Sequence, residues 1–266
     1  MRPLYTHSSE FFEPPNRQMC SVVILRRPGH EWPVIFAANR DEMGNRPWLP
    51  PGRHWPDRPQ TVAGLDKLAG GSWLGLSDHG LIAGIMNRMN SLGPSPGKRS
   101  RGELVLEALD HADASEAAKA LASLDPAAYR PFNLVLADNR DAFWLANLGE
   151  YLRLEKIPAG ISMVTAQDRN DTVHSRRIRH FLPRFERAVM PDPGAGDWHE
   201  WEQLMASRDF AEGGSAYDAM SIVGENGFAT LSSALMALPA LGSARKPIWR
   251  FAAGRPDLTT YQTVAA

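Results

Sequence analysis

The sequence is short of cysteine: one thiol, Cys20, in 266 residues. A single cysteine excludes an intrachain disulfide framework, so the fold must rest on packing, and a reducing, cytoplasmic setting is the natural expectation. Long apolar runs are also lacking. None approaches the roughly 18 residues of a membrane-spanning helix, and the longest are broken by Gly, Asn or Arg. Neither sign of charge is in excess: 29 Lys and Arg face 30 Asp and Glu, a formal net charge of -1. Nothing here marks out a surface for nucleic acid or anionic lipid, and neither partner is expected.

Several chemical motifs are missing as well. "GPSPGKRS", residues 93 to 100, has only three residues between Gly93 and Gly97, and Arg99 stands where a phosphate loop needs Ser or Thr. Pro94 and Pro96 remove amide donors besides. His199 and Glu200 begin like a zinc-protease helix, but Gln203 replaces the second histidine. With the other histidines isolated, no metal site is expected. No glycine fingerprint for a dinucleotide is present, and no cofactor is expected. Ser72 in "GGSWLG" lacks the later glycine of a nucleophile elbow, so a structural role is expected of it.

What is present is a series of short β-like runs and helices. "SVVILRR" and "VIFAAN" read as a hairpin across a Pro/Gly turn, and "GGSWLGLS" and "LIAGIMN" as a second across "DHG". Between them "RPWLPPGRHWPDRPQ" carries five prolines and reads as a packed loop, lining a pocket or covering the sheet. Ser100 with Glu103, and Asp113 with Glu116, have capping-box spacing and predict helices from about 101 to 111 and over "AAKALASL". "FNLVLAD", "AFWLAN", "YLRLEKI" and "GISMVTA" then read as strands. Helices over about 174–188 and 197–208 follow, then strands at "AMSIV", "GFATLSS" and "PIWRFAAG". This order lacks regular βαβ alternation, so layered antiparallel sheets flanked by helices are expected, an α+β fold in one domain over 19–266. Residues 1–18 contain three prolines and no apolar centre. They are expected to be a disordered tail or a mis-assigned start, not a secretory signal.

Cys20 directly follows Met19 and opens the first strand. Two readings stand open. It is an inert, small apolar filler of a core strand, or it is the mature first residue, whose α-amine serves as base for its own thiol. Antiparallel pairing returns the end of the second arm, Asn39, Arg40, Asp41 and Glu42, to the neighbourhood of residue 20. There Arg40 can lower the thiol pKa or bind a substrate carboxylate, and Asp41 can orient an α-ammonium. The alternative is a solvated turn with an Arg–Asp salt bridge. Lys98, Arg99 and Arg101 form either an anion site or a solvated basic turn.

The stretches "MCSVVILRRPGHEWPVIFAANRDEMGNRPW", "AGLDKLAGGSWLGLSDHG" and "SRGELVLEAL" resemble the NRDE, or transport and Golgi organisation, family, named for its Asn-Arg-Asp-Glu motif. The likeness runs from Met19 to about residue 110 and then thins, and "GFATLSSALMAL" departs from the family's usual C-terminal segment. The resemblance implies a Met-Cys start and a fold similar to N-terminal nucleophile (Ntn) hydrolases: a four-layer αββα sandwich of antiparallel sheets flanked by helices. It implies Cys20, Arg40 and Asp41 as catalytic positions and Asn87 as an oxyanion donor. Apart from the resemblance, Asn39 at the polar end of the second arm, Trp48 in the proline-rich segment and Trp73 in "GGSWLG" are expected as substrate contacts. The resemblance implies either a cysteine amidohydrolase cleaving a small non-peptide N-acyl amide through a thioester, or a non-catalytic protein handling lipid, acyl-CoA or haem. In both cases the partner is a small molecule. The oligomeric state is left open.

Overall fold

The computed structural model describes residues 20–265. The expectation for residues 1–18 lies outside the described residues. Strand β1 (Ser21–Arg26) pairs antiparallel with β2 (Val34–Met43), with Ser21 opposite Asn39 and Arg26 opposite Val34. Every residue of β1 is buried. Its alternate side chains explain why: Val22 and Ile24 point into a core between two sheets, while Val23 and Leu25 point into a second core under helices. Burying each such side chain stabilises the fold by about 1.5–3 kcal/mol.

A seven-stranded sheet follows as a meander in chain order: β3 (Trp48–Gly52), β4 (Thr61–Asp66), β5 (Leu74–Ser77), β6 (Ile82–Asn87), β7 (Phe132–Ala137), β8 (Ala142–Asn147) and β9 (Leu152–Lys156). The proline-rich segment thus supplies a strand, where a loop is expected from its composition. The strand is tolerated because β3 lies at the sheet edge, and its register slips between Leu49 and Gly52, at Pro50 and Pro51. Helices α1 (Glu103–Leu109) and α2 (Ala114–Leu121) cover the outer face, packing Leu104, Val105, Ala117 and Leu121 against Leu134, Leu136 and Leu145.

The remaining strands, β10 (Gly160–Val164), β11 (Phe228–Leu238), β12 (Ile248–Ala252) and β13 (Gln262–Thr263), join the first hairpin in a six-stranded sheet of order β10-β1-β2-β11-β12-β13. Helices α3 (Arg176–Arg187) and α4 (His199–Ala206) cover its outer face. On α3 the stripe Ile178, Phe181, Leu182 and Phe185 faces the sheet at helical spacing. Phe36, Val62, Trp144 and Trp249 fill the space between the sheets. The layers run helix, sheet, sheet, helix, as expected.

Two local expectations are corrected. Ser100 and Glu103 make no capping box: Gly102 is the N-cap without a side-chain bond, and the Glu103 carboxylate accepts from Tyr129 Oη at 2.8 Å and pairs with Arg99. Asp113 does cap α2, accepting from the Glu116 amide at 2.9 Å. "AMSIV" is no strand. Its Ile222 amide donates to Thr230 Oγ1 at 2.8 Å, and only Val223 forms a bridge, to Ala229.

Candidate functional site

Side-chain alternation on β1 and β2 sorts the candidate residues onto two faces. Cys20 and Arg40 share the face between the sheets. Ser21, Asn39 and Asp41 face the helical layer, where they meet α3, α4 and their flanking loops.

Cys20 stands at the entrance to β1 with φ of 42°, in the left-handed region unusual for a residue with a side chain. Its half-buried thiol is held against one residue: the Asp41 amide donates to Sγ at 3.4 Å, and Sγ donates to the Asp41 carbonyl at 3.7 Å. The Cys20 backbone nitrogen in turn acts on the Asp41 carboxyl, lowering its pKa. Burial pushes the thiol pKa up to about 12, reinforced by the Asp41 charge and only partly opposed by the Asp41 amide and Arg40. Arg40 pulls the thiol pKa down, but burial and the Asp41 charge outweigh it.

Asp41 is fully buried, with its carboxylate gripped on both oxygens. Arg177 Nη1 donates to Oδ2 at 3.0 Å, and Thr230 Oγ1 donates to Oδ1 at 2.6 Å. The same Arg177 nitrogen donates to Ser21 Oγ at 2.7 Å, and Nη2 donates to the Tyr217 carbonyl at 2.8 Å. Burial raises the Asp41 pKa; Arg177, Thr230 and the Cys20 nitrogen pull against that rise. The β11 register slips between Thr230 and Ser232, opposite Asp41 and Arg40. Such a bulge re-aims a side chain, and here it stands beside the thiol.

Arg40 is buried on the other face. Its guanidinium carbon lies 4.3 Å from the Trp73 ring centroid and 5.9 Å from that of Trp48, and the two indoles meet edge to face at 5.7 Å. Glu42 is 4.0 Å away, and Nη1 is buried with no hydrogen-bond partner among the described residues. Burial lowers the Arg40 pKa, against the pull of Glu42 and Cys20. The solvated Arg40–Asp41 salt bridge weighed from sequence is absent, because the two side chains leave opposite faces of the strand.

A cavity of about 580 Å³ opens over this group, lined by Cys20, Arg40, Trp73, Asn87, Arg101 and Arg130 among others. Beneath the thiol lies a water-sized void of about 20 Å³, walled by Val22, Ala38, Leu74 and Phe251. Of the residues expected to touch a ligand, Trp73 and Asn87 line the larger cavity with Cys20. Trp48 stands behind Arg40 and packs edge to face on Phe251 at 6.1 Å. The Asn39 side chain is committed to structure, donating to the carbonyls of Met205 at 2.9 Å and Met220 at 2.8 Å. Arg177 and Thr230 were not legible as site residues. The available hint was an arginine set at helical spacing beside the apolar stripe of "RRIRHFLPRF". Among the described residues no group of three or more His, Cys, Asp or Glu is placed to hold a metal. Nor is any helix there long and apolar enough to cross a membrane.

Two facing antiparallel sheets between helical layers, with a cysteine at the head of a central strand, define an Ntn-hydrolase-like scaffold. Solved structures share it. An N-acylethanolamine-hydrolyzing acid amidase ortholog of Caenorhabditis elegans superposes with a TM-score of 0.57 at 12% identity, over 92% of this chain and 100% of that one. A mutant of the conjugated bile acid hydrolase from Clostridium perfringens gives 0.51 at 9% identity, over 93% and 97%. A model of the Transport and Golgi organisation 2 family matches residues 19–211, and the chain belongs to that family. The Transport and Golgi organization 2 homologs of Mus musculus and Homo sapiens are 35% and 34% identical to it over 108 residues. Each match covers 40% of this chain and 38% of the relative's length.

Proposed function

We propose that this protein is an N-terminal-cysteine amidohydrolase that cleaves a small non-peptide N-acyl amide through a thioester. The observation that carries the reading is Cys20 at the head of β1, its thiol hydrogen-bonded to the Asp41 backbone and opening onto a cavity, and its backbone nitrogen close enough to the buried Asp41 carboxyl to lower that group's pKa. In the working form that nitrogen is an α-amine, which requires a chain whose first residue is Cys20. Asp41, braced by Arg177 and Thr230, then fixes the amine where it can exchange a proton with the sulfur.

Burial disfavours the charged thiolate, so attack calls for a base that takes the proton as the bond forms. The α-amine fills that role. Sγ adds to the amide carbonyl, and the oxyanion draws on donors at the cavity wall, of which the Asn87 amide is one. The C–N bond then breaks, the leaving amine takes the proton from the α-ammonium, and an acyl thioester on Cys20 remains. Water, deprotonated by the same amine, cleaves the thioester, and Sγ regains its proton.

The test is turnover of an N-acyl amide panel by protein expressed from Met19, with loss of the initiator Met confirmed by intact mass. Cys20-dependent release of amine and acid is expected, with Cys20→Ala abolishing it. Equal turnover by wild type and Cys20→Ala, or ligand binding with no turnover by a protein whose Cys20 amine is free, would overturn the reading in favour of a binding protein.

A further inference from the structure

The charges around the 580 Å³ cavity are unbalanced in one direction. Its three carboxylates all have cationic partners: Asp41 has Arg177 at 3.0 Å, Asp66 has Arg46 at 2.7 Å, and Glu42 has Arg46 at 3.6 Å and Arg40 at 4.0 Å. Arg99 is turned to Glu103 and Glu107 at 2.6 and 3.0 Å. Three cations on the lining remain without a carboxylate among the described residues: Lys98, Arg101 and Arg130.

What holds these three in place is neutral. Arg101 Nη1 donates to the Ser91 carbonyl at 2.6 Å, to Ser91 Oγ at 3.0 Å and to the Pro131 carbonyl at 3.1 Å. Arg130 donates to the carbonyls of Leu92, Gly93 and Asn90, and Lys98 to that of Ala127. These bonds fix both guanidiniums on one wall, with Arg101 Nε and Nη2 making no hydrogen bond among the described residues. The two also repel each other. The Arg101 pKa is lowered to about 10, first by burial and next by Arg130. Two like charges held on one cavity lining, neither in ion-pair contact with a carboxylate and Arg101 drawing only a more distant pull from Glu42, cost free energy that a bound anion recovers.

We propose that this wall, Arg101 and Arg130 with Lys98 beside them, binds an oxyanion carried by the ligand, so that the substrate class is an N-acyl amide bearing a carboxylate or another acidic group. The proposal rests on the amidohydrolase reading for the word substrate, while the anion site stands on charge geometry alone. Trp73, Ile85 and Leu92 line the same cavity and suit an apolar acyl portion.

The experiment titrates the full chain, by calorimetry, with octanoylglycine and with octanoylethanolamine, which differ in a carboxylate against a hydroxymethyl group. Octanoyltaurine and the phosphate ester of octanoylethanolamine show which oxyanion fits best. The carboxylate is expected to bind about 10- to 100-fold tighter than the neutral amide, and less so as salt is raised. Arg101→Gln and Arg130→Gln should each erase most of that preference; the second variant serves if the first melts early. Equal affinity for the two amides, binding of neither, or variants that weaken both equally would overturn the proposal. A retained preference in protein expressed from Met19, with a free Cys20 amine and no Cys20-dependent turnover, would sink the amidohydrolase reading and leave the anion site standing.

Discussion

Replacing Arg177 with Met tests the account of how the site is held. The guanidinium and the Asp41 carboxylate are both fully buried, 3.0 Å apart. The variant therefore leaves a carboxylate sealed in the interior with Thr230 and backbone donors as its remaining partners. Breaking such a pair from one side costs about 3–5 kcal/mol, and in a domain of this size each kcal/mol shifts Tm by about 2–4 °C. A fall of about 6–20 °C follows from the same two figures.

The pH dependence carries the sharper signature. Burial already raises the Asp41 pKa above its ordinary 3.8, and Arg177 supplies the largest opposing pull. Without it the folded-state pKa climbs further. Between 3.8 and that raised value the native state holds a proton that the unfolded chain has released, so stability falls as pH rises through the window. The Tm deficit of Arg177→Met should thus be largest at pH 8 and shrink toward pH 5, measured by circular dichroism against wild type at each pH. Adding Asp41→Asn removes the buried charge and should recover a good part of the deficit. A deficit that is small, independent of pH, or deepened by the second change would refute the reasoning.

Three further outcomes are expected. In the full chain the thiol pKa rises from 9.0 to about 12, a thousandfold loss of thiolate that greater nucleophilicity partly offsets. Iodoacetamide should then alkylate Cys20 about 30- to 60-fold more slowly than N-acetylcysteine at pH 8, and a matching rate would contradict the upward shift of the thiol pKa. A Cβ on Gly64 would lie 2.4 Å from the Trp73 ring. Gly64→Ala should cost about 1–3 kcal/mol in urea melts and shift tryptophan emission as the indole leaves Arg40; unchanged emission counts against that stack. The Asn39 amide serves two buried carbonyls, so Asn39→Leu should lower stability by about 2–4 kcal/mol. Ligand affinity should hardly change, whereas a selective loss of affinity would restore Asn39 as a substrate contact.

The hairpin and its polar end were legible because they depend on local order. The paired runs, the turn between them and a two-residue period suffice to bring Asp41 back beside Cys20. The same period, applied one step further, separates Arg40 from Asp41. The capping box failed because Glu103 had a better offer from Tyr129 and Arg99, a competition set by tertiary contacts. Arg177 and Thr230 were illegible for a related reason. They stand 136 and 189 residues from Asp41, and no local periodicity encodes a contact at that range. "GFATLSSALMAL", which lies beyond the residues that the family model matches, supplies Thr230.

The position of β11 beside β2 has a consequence for synthesis. The outer edge of β2 is covered by a strand that ends at Leu238, beyond the shared family region that stops at residue 211. At ribosomal speeds of about 5–20 residues per second, the 189 residues from Asp41 to Thr230 take about 10–40 s to emerge. Throughout that interval the first hairpin presents an unpaired, apolar margin to the cell, and a nascent chain halted near residue 211 would keep that margin bare.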